Sequence, residues 1–520
     1  MSDVTVSRAG WREWTGLAVL ALPTLLVSMD LTVLHLAVPH LTAGLAPSGT
    51  QLLWIVDIYA FLVAGLLITM GGLGDRVGRR RLLLAGAAAF GVASVLAAYA
   101  ASAEMLIGAR ALLGIGGSTL MPSTMSLIRT MFGDDKQRTV AISVWMMSFM
   151  TGGAIGPLVA GLMLENFWWG SVFLLAVPVM VLLLAVGPLL LPEFRDSSPG
   201  RIDLPSVLLS IVSVLALVYC LKHVAADGLS WQPVLSFVVG LVAGVVFVRR
   251  QRRLAYPLID VRLFRDRVFT TSVGTLLVSI MVMMGVYFFT AQYLQLIQGL
   301  SALQAGLWTL PSTAAGIVGT MVAPALVSRL RPVHVITGGL IVAIAGLAML
   351  TQVGTSSLAQ LITGSAVLSI GIAPATVLGT DMIVGAAPAE RAGAASAVSE
   401  TSSELGGALG IAILGSIATA AYHSRLTGTI PAGLAPEAAD TALNTLGGAL
   451  ETARQLPARL GDQLVAAAQG AFVHGLHVIA VVSVIAMAAF AATVAIVLRG
   501  VRSPAGQEAA TPPVAEPEPR

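Results

Sequence analysis

Apolar residues fall into runs of about twenty, one after another along nearly the whole chain, with short polar connectors between them. Fourteen runs can be laid out, centred near Leu25, Leu62, Val92, Ser118, Met150 and Leu182, then Val214 and Leu241, then Met281, Gly316, Val342, Ala373, Ala408 and Ile485. At 1.5 Å rise per residue, each is long enough as a helix to cross about 30 Å of hydrocarbon. The pattern predicts an all-α protein that crosses a membrane many times. The first run has no short apolar core ending in a small-residue cleavage site, so it reads as a retained helix.

Composition agrees with the pattern. Of 520 residues 56% are hydrophobic and only 11% charged, with a mean hydropathy of +0.88, whereas a soluble domain carries about a quarter charged residues. A single cysteine, Cys220, excludes an internal disulfide and a cysteine metal cluster. No GxxxxGK[ST] occurs, so ATP hydrolysis has no support and no enzymatic chemistry is expected.

The basic residues are informative by position. With fourteen crossings and the N-terminus inside, Lys222, Arg425, Arg454 and Arg459 fall in outward connectors and Arg110 within a run. All the other Lys and Arg residues fall in the inward connectors and the two ends. Such a bias places both termini in the cytoplasm. It also accounts for "VRRQRR" near residue 250 better than a nucleic-acid surface does, and no nucleic-acid partner is expected.

Beyond the runs the organisation is spare. The connectors "GGLGDRVGRRRLLLAG" and "APALVSRLRPVHVITG" are both short and basic, and both lead into an apolar stretch that reaches a glycine, Gly86 and Gly338. They suggest two related six-helix halves around a midplane site, a transporter architecture. The halves would cover residues 1–200 and 267–501, with two inserted helices and a basic loop at 201–266. A long outward segment, 422–470, contains "PEAADTALNTLGGALETARQL" and "ARLGDQLVAAAQGAF", both of helical periodicity, and predicts a helical hairpin near the outer surface. The tail at 502–520 is rich in Pro, Glu and Ala and is expected to be disordered.

Five motifs, in order and on successive runs, resemble the major facilitator superfamily. The nearest likeness is to its fourteen-helix drug:proton antiporter family and the QacA-type multidrug exporters, over roughly residues 15 to 500. "GGLGDRVGRRR" is similar to the superfamily's loop motif through Gly71, Leu73, Asp75, Arg76, Gly78, Arg79 and Arg80. "ARALLGIGG" resembles the fourth-helix motif through Arg110 and Gly114, with Leu113 in place of its usual glutamine. "GGAIGPLVAG" resembles the antiporter motif of helix five through Gly152, Gly156, Pro157 and Gly161, with Ala160 in place of a glycine. "MDLTVLHLAVP" resembles the first-helix motif, with His35 where asparagine is common, and "FWWGSVFLLAVP" partly matches the sixth. The resemblance implies a bacterial plasma-membrane exporter, driven by the proton gradient and needing no cofactor. It also implies that Asp57 matches a family acid and that an acid at Glu400 is linked to coupling or cation recognition. Some related exporters carry an acid in helix ten, where this chain has only "STAAGIVGT".

The residues carry physical readings of their own. Gly74 and Gly78 permit a tight reversal. Asp75 lies four residues before Arg79, within reach of a charge pair at the cytoplasmic mouth. Such a pair could latch the halves in one state and break in the other, or the arginines could serve topology alone. Gly152, Gly156 and Pro157 allow a close helix approach and a bend.

A carboxylate at the centre of a membrane helix costs about 2.5–3.5 kcal/mol and needs a partner or a wet cavity. Asp30 lies about 13 Å below the outer end of its helix, and Arg110 about 9 Å below the start of helix four on the same side. The two can meet, either as a proton-coupling site whose carboxylate changes affinity between states or as a static ion pair. His35, one turn nearer the outside, is a second titratable candidate.

Glu400 and Glu404 are four apart on one helix face, about 10 and 16 Å in from the cytoplasm. In low dielectric they cannot both ionise cheaply, and an acidic cavity with apolar walls would select lipophilic cations. Asp381 reads as structural. "MVMMGVYFF" and "VWMMSFM", including Met284 and Phe288, offer either an adaptable pocket wall or helix packing.

The expected function is a monomeric exporter in the lipid bilayer that exchanges protons for lipophilic cations by alternating access. Asp30, Arg110, His35 and Glu400 would couple the proton. Glu400, Glu404, Asp57, Met284 and Phe288 would meet substrate, and Asp75, Gly78, Arg79, Gly156 and Pro157 would switch conformation. The alternative keeps the fold and exports an endogenous lipid or secondary metabolite.

Overall fold

A computed structural model describes residues 9–193, 203–227, 230–254, 257–386, 392–431 and 433–500. The tail at 502–520 and Arg8, Arg195, Arg201 and Arg391 lie outside the described residues. Every regular element among the described residues is helical. That follows from the medium, because backbone N–H and C=O groups in lipid must be satisfied within the segment.

The first group of helices is α1 (Trp11–Leu45), α2 (Gly49–Val77), α3 (Arg79–Ala98), α4 (Ala103–Met131), α5 (Asp135–Asn166), α6 (Ser171–Leu174) and α7 (Ala176–Leu190). A hairpin follows, α8 (Leu204–Asp227) and α9 (Trp231–Gln251). The second group is α10 (Arg267–Gln292), α11 (Ala302–Val327), α12 (Pro332–Leu350), α13 (Leu358–Gly385) and α14 (Ala392–Thr427). Two short helices, α15 (Pro436–Asn444) and α16 (Leu446–Arg454), precede the long α17 (Ala458–Val497). Counting α1 despite its 46° bend, and α6 with α7, fourteen segments are long and apolar enough to span a membrane.

Local chemistry sets the ends. Ser48 with Gln51, and Ser301 with Gln304, close reciprocal caps on α2 and α11. Asp134 and Asp266 cap α5 and α10. Gly78, at φ +114°, turns α2 into α3, a backbone conformation that a side chain would strain. Pro178 has no N–H to give the Leu174 carbonyl, and the sixth run accordingly breaks between α6 and α7.

The same pairings recur in both groups. α1 packs on α5, α2 on α4, and α3 on α4 and α7; correspondingly α10 packs on α14, α11 on α13, and α12 on α13 and α17. The groups meet along two seams, α2 with α14 and α5 with α11, which are equivalent under that correspondence. The α8–α9 hairpin lies against α2 and α14 at the outside of the first seam.

Two expectations need correction. The hairpin does not have the bounds 422–470: α14 runs on to Thr427, and α15 leads into α16, which folds back on "ARLGDQLVAAAQGAF", the start of α17. No breaker separates that stretch from the apolar run, so one helix of 40 residues forms, about 60 Å long. The other stretch divides at Thr445, whose hydroxyl caps α16 through Gly448 N. Lys222, expected in an outward connector, lies inside α8 and is fully buried.

The face of the bundle carrying α15 and α16, the hairpin face, is closed. Gln295 donates to the Leu36 carbonyl at 3.0 Å across the groups, and it stands in a turn of π-helix, Tyr293–Ile297, that extends α10. A side chain at Gly161 would run into the Leu303 backbone, and one at Gly306 would meet the Pro157 carbonyl at 2.7 Å. Toward the opposite, basic face the same two helices are uncovered: Met147 of α5 is 65% exposed and Met321 of α11 is 74% exposed. The antiporter-like glycines thus have divided duties. Gly152 and Gly156 seat α5 against Leu25, Met29 and Thr32 of α1, whereas Pro157 and Gly161 face α11.

Gly161→Leu is expected to hold the hairpin-face ends of α5 and α11 apart. Spin labels at Asn166 and Ser301, on a background lacking Cys220, should then report a longer distance than in the same protein with Gly161.

Candidate functional site

At mid-depth the two groups enclose a cavity of about 330 Å³ bounded by α1, α2, α4, α5, α10 and α14. Its wall is largely apolar, with Phe149, Met150, Ile280, Met283, Met284 and Ile411. The polar exceptions are Ser28, Asp30, Thr32, His35, Tyr59, Arg110, Ser403 and Glu404.

Arg110 organises the first-group side of the cavity. Its Nη1 meets Asp30 Oδ2 at 2.6 Å, its Nε donates to the Ile55 carbonyl at 3.2 Å, and its guanidinium lies 4.6 Å from the centre of the Tyr59 ring. The side chain of Arg110 is 2% exposed while that of Asp30 keeps 17%. The cation is therefore locked between α4, α2 and α1, and the carboxylate is the partner open to the cavity. A buried charge of this kind persists only when opposite charge and hydrogen bonds replace its water.

Glu404 enters the cavity from α14, opposite the pair in the sense that it belongs to the other group. Glu400 does not line it: one turn nearer the basic face, that side chain is exposed. His35 is buried with both ring nitrogens unpartnered, edge-on to Tyr287 and Phe288 at 5.4 and 5.7 Å. Its ring packs as an aromatic wedge across the seam and also borders the cavity. Met284 lines the cavity, whereas Phe288, 1% exposed, packs in the closed seam.

Asp57 is also turned away from the cavity. It is fully buried against Lys222 Nζ at 2.8 Å, and that ammonium lies 4.0 Å from the Trp54 ring centre. The pair clasps α8 to α2, which explains how a lysine is tolerated inside an apolar helix. The Asp75–Arg79 pair forms at 2.5 Å, but it spans the α2–α3 turn within one group. Arg80 donates to the Leu191 carbonyl at 2.9 Å, tying α3 to the end of α7. Asp381 is exposed near the basic-face end of α13.

Sequence reasoning missed Tyr59, Ser28, Thr32 and Ser403, since neutral polar residues in helices leave no periodic mark. Lys222 did leave a signal. It is one of two lysines in the chain, and it follows an apolar run without a breaker.

A profile described as the Major Facilitator Superfamily matches residues 20–411. The chain belongs to the Major Facilitator Superfamily. Among relatives of this superfamily member, the "Multidrug efflux pump LfrA" of Mycolicibacterium smegmatis is 46% identical, covering 91% of this chain and 94% of that one. The "Methyl viologen resistance protein SmvA" of Salmonella typhimurium is 36% identical over 89% and 94%. The "Tetracenomycin C resistance and export protein" of Streptomyces glaucescens is 32% identical over 78% and 76%. In fold, the chain resembles a bacterial homologue of the lysosomal transporter Spinster, with a TM-score of 0.65 at 18% identity, covering 95% of this chain and all of that one. Family membership makes the protein a transporter and not an enzyme.

Removing one member of a buried pair strands the other charge, which costs about 3–5 kcal/mol. Lys222→Met should therefore lower the thermal unfolding midpoint more than the double change Asp57→Leu with Lys222→Met. The comparison is made on purified protein by intrinsic fluorescence.

Proposed function

We propose that this superfamily member is a multidrug exporter that exchanges protons for lipophilic cations by alternating access across a bacterial plasma membrane. The basic face is cytoplasmic in this reading, with both chain ends on that side, because Lys and Arg accumulate in cytoplasmic connectors. The observation that carries the proposal is the placement of Asp30 and Glu404, one from each group, in a cavity whose wall is otherwise largely methionine, aromatic and aliphatic, with Arg110 paired to Asp30. Apolar walls take up lipophilic bodies of varied shape, and two acids give a cation its counter-charge. The names of LfrA and SmvA, a multidrug efflux pump and a methyl viologen resistance protein, agree with it.

The cycle follows from the geometry. With the hairpin face shut along Gln295, His35 and the α5–α11 contact, a cation from the cytoplasm or inner leaflet reaches Glu404 and Asp30. Its charge competes with protons for the same carboxylates, so loading releases protons inward. Rocking of the groups then opens the hairpin face, and protons from outside displace the cation. Arg110 lies against Asp30 in this state, and the distance between them can differ in the other. Glu400, exposed toward the basic face, would meet the cation first. Asp75 and Arg79 would change partners as the faces alternate. The gradient is the only energy source required, the protein works as a monomer, and the bilayer, substrate and protons are its partners.

A second reading, export of a secondary metabolite or lipid with incidental drug transport, is favoured by the Streptomyces relative, a tetracenomycin C resistance and export protein. Competition between dye and candidate metabolite separates the two.

Ethidium extrusion from energised cells should be abolished by a protonophore, and Asp30→Asn should reduce it at least tenfold at equal membrane expression. Glu404→Gln should raise the half-saturating concentration for ethidium more than for an uncharged lipophile. Extrusion that survives the protonophore would reject proton coupling.

A further inference from the structure

A second cavity, of about 190 Å³, lies on the far side of the first seam, between α2, α8, α9 and α14. It is separate from the transport cavity. Thr401 and Leu405 of α14 face it, while Ser403 and Glu404 face the transport cavity, and on α2 Phe61 and Ile68 face it while Tyr59 faces the other. Its wall is overwhelmingly aliphatic and aromatic, and it sits in the half of the bundle nearer the basic face.

The floor of this cavity is built by specific polar contacts. Gln251, 2% exposed, donates to Ser206 Oγ at 2.7 Å and accepts from the Leu258 and Ile259 amides at 2.7 and 3.3 Å, and those two residues line the cavity. Beside it Arg250 grips Asp203 through two bonds of 2.7 Å, which holds that carboxyl below the usual carboxylate range and joins the base of α8 to that of α9. Arg250 is thus committed, but Arg252 and Arg253, next in the chain, are exposed and point to no protein carboxylate among the described residues. Glycines thin the wall: a side chain at Gly65 would meet Ile211, and one at Gly244 would meet Ser213.

We infer that this cavity holds one acyl chain of an anionic phospholipid whose phosphate is bound by Arg252 and Arg253. Two features select that occupant. An apolar cavity at membrane depth is energetically served by a hydrocarbon chain and not by water. Arg252 and Arg253 follow directly on Gln251, which holds the lining residues Leu258 and Ile259, and supply the attraction that anionic headgroups show for polybasic segments. The walls come from both helix groups and the inserted hairpin, so the lipid would bridge the parts that must shift in transport.

The full chain, purified in detergent, is incubated with dioleoyl phosphatidylglycerol or dioleoyl phosphatidylcholine, and retained lipid is counted by native mass spectrometry. Phosphatidylglycerol is expected to be retained selectively, and Arg252→Gln with Arg253→Gln should weaken its retention about thirtyfold. Val214→Phe, which fills the cavity, should remove retention of either lipid. The arginines are exposed, so that variant keeps its fold and gives a reading even where Val214→Phe does not. Equal retention of the two lipids, or unchanged retention in the arginine variant, would overturn the assignment. So would displacement of the bound lipid by ethidium, which would make the cavity part of the drug pathway. Because retention is read without transport, its failure is distinct from failure of the exporter reading.

Discussion

A charge inside a membrane cannot be left alone, and the arrangement around Arg110 follows from that constraint. Its guanidinium takes Asp30 from α1, a carbonyl from α2 and the face of the Tyr59 ring, so one side chain on α4 fixes three helices. Desolvation would make an unpaired arginine prohibitively costly at this depth, so the contacts are obligatory. Asp30 is left as the member of the pair with access to the cavity. A second buried pair, Lys222 with Asp57, applies the same rule at the outside of the bundle and clasps the inserted hairpin to α2.

Between these charged points the structure relies on small residues. At the α5–α11 seam there is no room for a Cβ at Gly161 or Gly306, so closure of the hairpin face is a matter of backbone contact. Dispersion at such distances is lost steeply with separation, which suits a contact that must both form and break. The aromatic wedge of His35, Tyr287 and Phe288, with the Gln295 bond to α1, seals the remainder. Toward the basic face no equivalent set of glycines brings α5 and α11 together, and Met147 and Met321 stand uncovered.

The same logic separates two cavities that share helices. α14 presents Ser403 and Glu404 to the central cavity and Thr401 and Leu405 to the lateral one, and α2 presents Tyr59 to the first and Phe61 and Ile68 to the second. Side-chain periodicity makes this possible, since residues one or two positions apart point to different sides of a helix. One helix can therefore serve a site for charged ligand and, on its other flank, a slot for hydrocarbon.

The amino-acid sequence by itself determined the class, the count of spans and the positions of the unusual charges, because hydrophobic length and the cost of a charge in lipid are local properties. Asp30 and Arg110 could be matched from depth along their helices alone, since both were measured from the same membrane boundary. What only the tertiary structure decided was which way each acid points. Asp57 and Glu404 look alike in sequence, yet one is consumed by Lys222 and the other faces the cavity, because helix rotation is set by packing against neighbours. The same applies to Glu400 against Glu404, to His35 as a wedge, and to the run of α17 through the expected hairpin. Periodicity states what a helix can present; the neighbours decide what it does present.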